Sequence, residues 1–350
     1  TAHAPLPSVD ELASLIEAYG RRLASLGVVA IHDPSELEMD SRLERGFAAI
    51  EGLSMAGRLP IRVHAGLRKG ALDLAIGRGL RSGDPLGPAS GRARIGWLKL
   101  FADGTLGSRT AALLRPYEPD ADLGDPPGGP LGVLVTEPDE MAELAARAAA
   151  HGMAASIHAI GDRALRNALS ALEPVAARTA VRPRIEHVQL VDDADIGRLG
   201  TAGITASVQP ADLRDDAPKA HRAWGDRVDR TYPWRGLLDA GTRVCFGTDA
   251  PAANDEPWPA IAMATTRRHP AWGTREDAYA AHHAMTLAEA LRAACVAAPE
   301  TAGEIDRGRL IVGQRADLVV VPAAVLEDAE RMREARPRLV LMDGEVAFEA

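Results

Sequence analysis

Cysteine is nearly absent from this sequence, and so are the long apolar runs that mark a membrane span. The two cysteines, Cys245 and Cys295, are too few for a disulfide framework, and the apolar run around Cys245 predicts a buried thiol. No run approaches the ~20 apolar residues of a transmembrane helix, and the first residues lack a signal-peptide pattern. These absences predict a cytoplasmic protein.

A basic surface is also missing. The chain has 40 Lys and Arg against 49 Asp and Glu, a formal net charge of −9, with no basic stripe along its length. This balance argues against a phosphate backbone or an anionic membrane as the partner. We therefore expect a small-molecule substrate, no nucleic acid and no membrane, and leave open whether the chain forms a homo-oligomer.

The length and composition of the chain are typical of one large globular domain. Apolar, β-branched runs alternate with segments of helical periodicity, which is typical of repeated βα units and a parallel sheet. The runs predict seven strands, at residues 28–32, 61–65, 95–101, 154–158, 184–189, 204–209 and 243–247. Ser8 and Glu11 have the spacing of a capping box that begins the first helix. We expect an α/β domain over residues 1–305 with a TIM-like (β/α) barrel.

The last 45 residues follow a different sequence pattern from the rest of the chain. Residues 308–321 and 337–348 read as short strands, and Asp343-Gly344 is a hairpin-turn pair. Too few strands are present for an independent sheet domain. Residues 306–350 are therefore expected to form a small β-sandwich appendage that packs on the barrel.

Four side chains with metal-site chemistry follow predicted strands: Lys99, His158, His187 and Asp249. In a barrel, residues at the carboxyl ends of different strands meet in space, and a metal-centred hydrolase needs nitrogen and carboxylate ligands there. Each residue alone has a plainer interpretation. A lone His is more often a hydrogen-bonded core or surface residue, and an Asp in such a turn often caps a helix.

Lys99 carries a further signal. It alternates with Leu98 and Leu100, so it points to the barrel interior, where an ammonium is costly unless its pKa falls or the amine is modified. His32 and His64 also end strands, but no second signal follows them, and we expect them to line a pocket at best. Two long loops, 104–130 and 210–233, are expected to line the site.

Six segments together resemble the YtcJ-like branch of the amidohydrolase superfamily, in its amidohydrolase-3 group. The resemblance runs from about Ser8 to the end of the chain, and its motifs are specific in combination and order. The segments are KLFADGTLGSRTA at 99–111, IHAIGDRA at 157–164, RIEH at 184–187, SVQP at 207–210, YPWR at 232–235 and GTDAP at 247–251.

The resemblance implies a set of residue roles. His158 and His187 match metal-binding histidines, and Asp249 matches an aspartate that binds metal and acts as general base on the attacking water. Lys99 matches a lysine that is carbamylated in two-metal members and bridges the metals. Arg109, Gln209 and Tyr232 would contact the substrate. The implied cofactor is a divalent metal, zinc in first place, as one or two ions.

The implied function is metal-dependent hydrolysis of a C–N bond in an N-acyl, N-formyl or cyclic amide. The alternative is a catalytically degenerate barrel that binds a ligand or a partner. Family members carry a His-x-His pair after the first strand, and none of the ten histidines here is spaced that way. We therefore expect that the chain lacks the first barrel strand and two metal ligands, and that a two-metal centre needs them.

Overall fold

Seven parallel strands form the main sheet of the chain. The computed structural model describes residues 7–35, 42–88, 91–272 and 278–350. The strands pair in chain order, β1 to β7, and each pair is parallel. They are β1 Ala30–Asp33, β2 Arg62–Arg68, β3 Ala93–Phe101, β4 Ala155–Ala159, β5 Arg184–His187, β6 Thr205–Val208 and β7 Val244–Phe246. All seven predicted strands are confirmed, with ends shifted by a few residues.

Helices connect the strands, as repeated βα units require. They are α1 Val9–Ser25, α2 Arg42–Met55, α3 Leu72–Gly77, α4 Pro138–Ala150, α5 Asp162–Leu172, α6 Ile196–Ala202, α7 Leu213–Trp224, α8 Trp234–Asp239, α9 Pro257–Thr266, α10 Leu287–Arg292, α11 Ala298–Thr301 and α12 Ala324–Glu327. The capping box of α1 is present, with Ser8 and Glu11 each bonded to the other's backbone N–H. Within the described residues no helix has the length and apolarity that crossing a membrane requires.

The two faces of the sheet differ in chemistry. Leu100, Ile157 and Ile185 point outward into the main hydrophobic core, together with the inward sides of the helices. The residues between them in the strands, among them Lys99 and Glu186, point to the opposite, concave face. Lys99 therefore faces the interior as predicted, and the buried Glu186 shares that face.

The sheet is open along one side within the described residues. β1 and β7 are its edges and do not pair with each other. The architecture is thus a parallel α/β sheet with outer helices, consistent with a TIM-like fold. Cys245 lies buried in β7 as a free thiol, as expected.

The carboxyl-terminal segment forms a three-stranded antiparallel sheet in the order β10-β9-β8. Its strands are β8 Leu318–Val320, β9 Leu339–Met342 and β10 Glu345–Glu349. The predicted turn is confirmed, because Asp343 and Gly344 both have positive φ, 53° and 86°. The expected strand at 308–317 is wrong. Leu310, Ile311 and Val312 are 84, 61 and 105% exposed, since the described residues offer them neither a partner strand nor an apolar surface.

A buried ion pair ties this small sheet to the amino end of β2. Arg62 donates two hydrogen bonds to Asp317, at 2.8 and 3.0 Å, and both side chains are under 5% exposed. Arg62 also pairs with Asp343, whose backbone N–H donates to Asp317 at 2.9 Å. One guanidinium thus joins the hairpin turn of the appendage to the main sheet.

Replacing Asp317 tests this attachment. We expect Asp317→Ala to lower the free energy of unfolding by about 3–5 kcal/mol, because it leaves the buried Arg62 guanidinium with one partner fewer. Urea denaturation monitored by circular dichroism measures the change. Asp226→Ala is the matched control, since its pair with Arg115 is exposed and should contribute much less to stability. Equal losses in the two variants would contradict the role assigned to Arg62.

Candidate active site

The sequence-predicted ligands lie at the carboxyl ends of neighbouring strands. In the sheet register, Lys99 of β3 is opposite Ser156 of β4, and His158 lies two residues further along the same face. His187 ends β5, opposite Ala159. The parallel pairing therefore gathers residues that are nearly 90 positions apart in the chain at one edge.

The two histidines are in direct contact. Their rings have centroids 4.5 Å apart and meet edge to face at 71°. His187 has a φ of +75°, and Val188 after it a φ of +49°, so the chain turns sharply where β5 ends. Its Nδ1 atom is buried and has no hydrogen-bond partner among the described residues. An unpartnered buried nitrogen of this kind suits a metal or substrate contact.

The proton on His158 is placed by its neighbours. Its Nε2 lies 3.0 Å from the carbonyl oxygen of Gly104 and 3.4 Å from a carboxylate oxygen of Asp103. Both are acceptors, so Nε2 carries the hydrogen. Burial, helped by the nearby Lys99 ammonium, lowers the pKa of His158 to about 4. The ring is therefore neutral near pH 7, and Nδ1 holds a free electron pair.

Lys99 lies among charged groups below the histidines. Burial lowers its pKa to about 8, while the Glu186 and Asp249 carboxylates act in the opposite direction. Burial alone would raise the pKa of Glu186, but Arg184, Lys99 and the Ser156 hydroxyl together lower it to about 2. Ser156 donates to Glu186 at 2.5 Å, and Arg184 Nε lies 2.6 Å from the same oxygen. Glu186 is thus ionised beside Arg184, and the Lys99 ammonium lies within its electrostatic range.

Asp249 lies apart from the histidine pair. It follows β7, the edge strand, in a left-handed conformation with a φ of +56°, and its side of the sheet is exposed. Within the described residues no group of three or more His, Cys, Asp or Glu side chains is close enough to hold a metal. The structure therefore brings Lys99, His158 and His187 together, and Asp249 approaches them only within electrostatic range of Lys99.

Asp103 is a residue whose role the sequence analysis missed. Its carboxylate is fully buried and accepts backbone hydrogen bonds from Ala112 at 2.8 Å, Ile160 at 3.0 Å and Gly161 at 2.8 Å. A side chain at Gly161 would collide with the Ala112 carbonyl, 2.0 Å from an ideal Cβ. Asp103 thus fixes the start of the 104–130 loop against the turn after His158. The sequence feature that could have identified Asp103 is a carboxylate close after a buried strand.

The three predicted substrate contacts occupy different surroundings. Arg109 is buried and donates from Nη1 to the Gly124 carbonyl at 2.6 Å, inside its own loop. Tyr232 is buried too, and its hydroxyl donates to Asp216 at 2.7 Å. Gln209 donates to the Ser207 carbonyl at 3.3 Å, while its Oε1 is buried without a donor among the described residues. Substrate contact by Arg109, Gln209 and Tyr232 stays a prediction.

His32 and His64 lie at the other end of the concave face. Nη1 of Arg184 donates to Nδ1 of His32 at 2.7 Å, and the guanidinium stacks on Trp97, 4.0 Å from its centroid. His64 is buried against His32, with ring centroids 4.8 Å apart. Both histidines therefore belong to the packed interior of the sheet.

The donor chemistry at the carboxyl edge fits a divalent metal. Two touching imidazoles are held neutral by burial, and one of them has an unpartnered ring nitrogen. Neutral imidazole is the form that binds metal, and histidine nitrogen with carboxylate oxygen is a donor set that zinc accepts. Two further donors are needed to complete a four-coordinate site, and Lys99 and Asp249 are the candidates for these positions.

The proteins that share sequence or structure with this chain include the following three. YtcJ from Bacillus subtilis (strain 168) is 28% identical over 310 residues, which cover 86% of this chain and 55% of YtcJ. The N-substituted formamide deformylase of Arthrobacter pascens is 27% identical over 221 residues, 60% of this chain and 39% of that protein. An uncharacterized metal-dependent hydrolase from Pyrococcus horikoshii OT3 superposes with a TM-score of 0.75 at 28% identity, covering 89% of this chain and 59% of that one.

This chain spans about half the length of the curated relatives it matches. The resemblance inferred from the motifs around Lys99, His158, His187 and Asp249 is confirmed at the level of the family. The sequence matches the Amidohydrolase family over residues 1–348. The chain therefore belongs to the amidohydrolase family.

Proposed function

We propose that this chain provides the main part of a metal-dependent hydrolase that cleaves a C–N bond in an N-acyl, N-formyl or cyclic amide. The observation that carries the proposal is the pair of touching, neutral histidines above a buried lysine of lowered pKa. The kinship with a formamide deformylase and with a metal-dependent hydrolase supports the bond type and the need for metal. A cytoplasmic location stays a prediction.

His158 and His187 would hold the metal, most plainly zinc, with Asp249 and Lys99 as further ligands. A lysine amine reacts with carbon dioxide only when it is deprotonated, so the lowered pKa of Lys99 favours the carbamate that would supply carboxylate oxygens. A closed TIM-like barrel needs one further strand between β1 and β7. Such a strand would bring Asp249 towards the histidines by enclosing the exposed edge after β7.

Each of the site residues would have its own role in the reaction. When bound, the metal lowers the pKa of water and polarises the substrate carbonyl. The Asp249 carboxylate accepts the proton of the attacking water and returns it to the departing nitrogen. The Gln209 carbonyl, buried without a donor, accepts an N–H of the substrate. Asp103 keeps His158 in position through the turn at Ile160 and Gly161.

One observation favours the alternative of a degenerate barrel that only binds a ligand or partner. The described residues gather no three-ligand group of His, Cys, Asp or Glu. Metal affinity and turnover, measured separately, distinguish the two functions.

The histidine pair can be tested by zinc binding alone. We expect His187→Ala to weaken zinc affinity at least about tenfold in isothermal titration calorimetry, because one of two adjacent imidazole ligands is removed. His151→Ala, at the exposed end of α4, is the matched control and should bind as the parent does. Unchanged zinc affinity in His187→Ala would remove His187 from the ligand set.

Asp249 can be tested by turnover of the full-length gene product on a panel of N-formyl, N-acyl and cyclic amides. We expect Asp249→Asn to lower kcat by about 10²–10⁴-fold, since a neutral amide cannot accept the proton of water. Zinc content, measured by plasma mass spectrometry, shows whether the loss reflects proton transfer or metal release. Retained kcat in a zinc-loaded Asp249→Asn enzyme would contradict the role of general base.

A further inference from the structure

A group of hydrogen-bond acceptors lies beside the candidate active site. Asp212 ends the short 3-10 turn Pro210–Asp212 that directly follows β6, and Asp216 lies one helical turn later in α7. Gln189 reaches the same place from the segment after β5, because its Nε2 donates to Asp216 at 3.2 Å. These three residues, the acceptor cluster, come from two consecutive strand ends of the concave site.

The acceptors outnumber the donors in this cluster. Asp216 accepts from Tyr232 and Gln189, and Lys219 lies 3.7 Å from its other oxygen. With its Nε2 committed to Asp216, Gln189 presents Oε1, which is buried and receives no hydrogen bond from the described residues. The Gln189 side chain is almost fully buried, so this carbonyl is not simply hydrated at the surface.

Asp212 is the carboxylate without a partner. In the described ranges 7–35, 42–88, 91–272 and 278–350, no side chain or backbone group donates to it or forms an ion pair with it. Burial and, after it, the neighbouring carboxylates of Asp216, Asp249 and Asp215 together raise its pKa to about 8, with Lys219 opposing. Asp212 therefore has no cation within ion-pair distance among the described residues, and a cation bound beside it would stabilise its ionised form.

A ligand that complements the acceptor cluster would carry a positive charge and several N–H donors. A primary ammonium carries three donors and no acceptor, which complements one carboxylate and one amide carbonyl. A metal ion fits less well, because the described residues contain no cluster of three acidic or histidine ligands here. Asp212 follows β6 and Asp249 follows β7, the strand paired with β6, so both lie at the carboxyl edge of the sheet that carries the candidate active site.

We propose that Asp212, with the Oε1 atom of Gln189, binds a primary ammonium group carried by the substrate at the end away from the scissile amide. This inference rests on the proposed function, since it names the substrate class of the same site: amides that bear a free amine. Asp216 is a positioning residue, because it is occupied by Tyr232 and orients Gln189.

Two formamides of equal shape provide the test with the full-length, zinc-loaded protein. N-formyl-1,4-diaminobutane carries the ammonium, and N-pentylformamide has a methyl group in its place. We expect kcat/KM to favour the cationic amide about ten- to hundredfold, the usual effect of a hydrogen bond to a charged group. Asp212→Asn should abolish this preference. Asp212→Glu should retain part of it.

Asp215→Asn is the matched control, because Asp215 is adjacent but exposed, and it should leave the preference intact. Calorimetric binding of 1,4-diaminobutane against the neutral 1,4-butanediol gives a readout that needs no hydrolysis. Tighter binding of the diamine that depends on Asp212, without any turnover, would support the ammonium site and contradict the hydrolase. Hydrolysis of both formamides with equal kcat/KM, or a preference unaffected by Asp212→Asn, would overturn the ammonium site and leave the hydrolase standing.

Discussion

The Glu186 carboxylate is the constraint on which the concave face depends. It lies in the middle of the sheet, where an unpaired charge would cost several kcal/mol, and it neutralises Arg184 on its own strand and Lys99 two strands away. The Ser156 hydroxyl completes its hydrogen bonding. With this carboxylate ionised, a lysine is tolerated beneath the histidines. Lys99 in turn helps to keep His158 neutral, so one acidic side chain sets the protonation of its surroundings.

Arg184 extends this polar interior to the amino ends of the strands. Its guanidinium contacts Glu186 on one side and His32 and Trp97 on the other. The outer face, by contrast, is continuous apolar core. One face of the sheet is therefore apolar, and the other carries a connected network of charged and aromatic groups. Successive residues along a strand point to opposite faces, which explains why they alternate between apolar and polar.

Much of the fold follows from local patterns that the sequence displays. Alternating apolar runs locate the seven strands, and the strand-end rule identifies His158 and His187 as neighbours. Patterns fail where the environment comes from distant parts of the chain. Leu310 to Val312 look like a strand but have no partner in the described structure. Asp103 escapes notice because three of its partners are backbone N–H groups and the fourth, His158, is distant in the chain.

Because Asp103 makes three backbone hydrogen bonds, the two parts of the long loop after β3 differ in how much sequence change they tolerate. The first part, up to Ala112, is tied to the turn that carries His158 and tolerates little change, as the contact between Gly161 and the Ala112 carbonyl illustrates. The stretch beyond Tyr117 has no such link to the histidines. Insertions and substitutions there would reshape the surroundings of the site while the imidazoles stay where they are, so new substrate preferences can arise without rebuilding the catalytic groups.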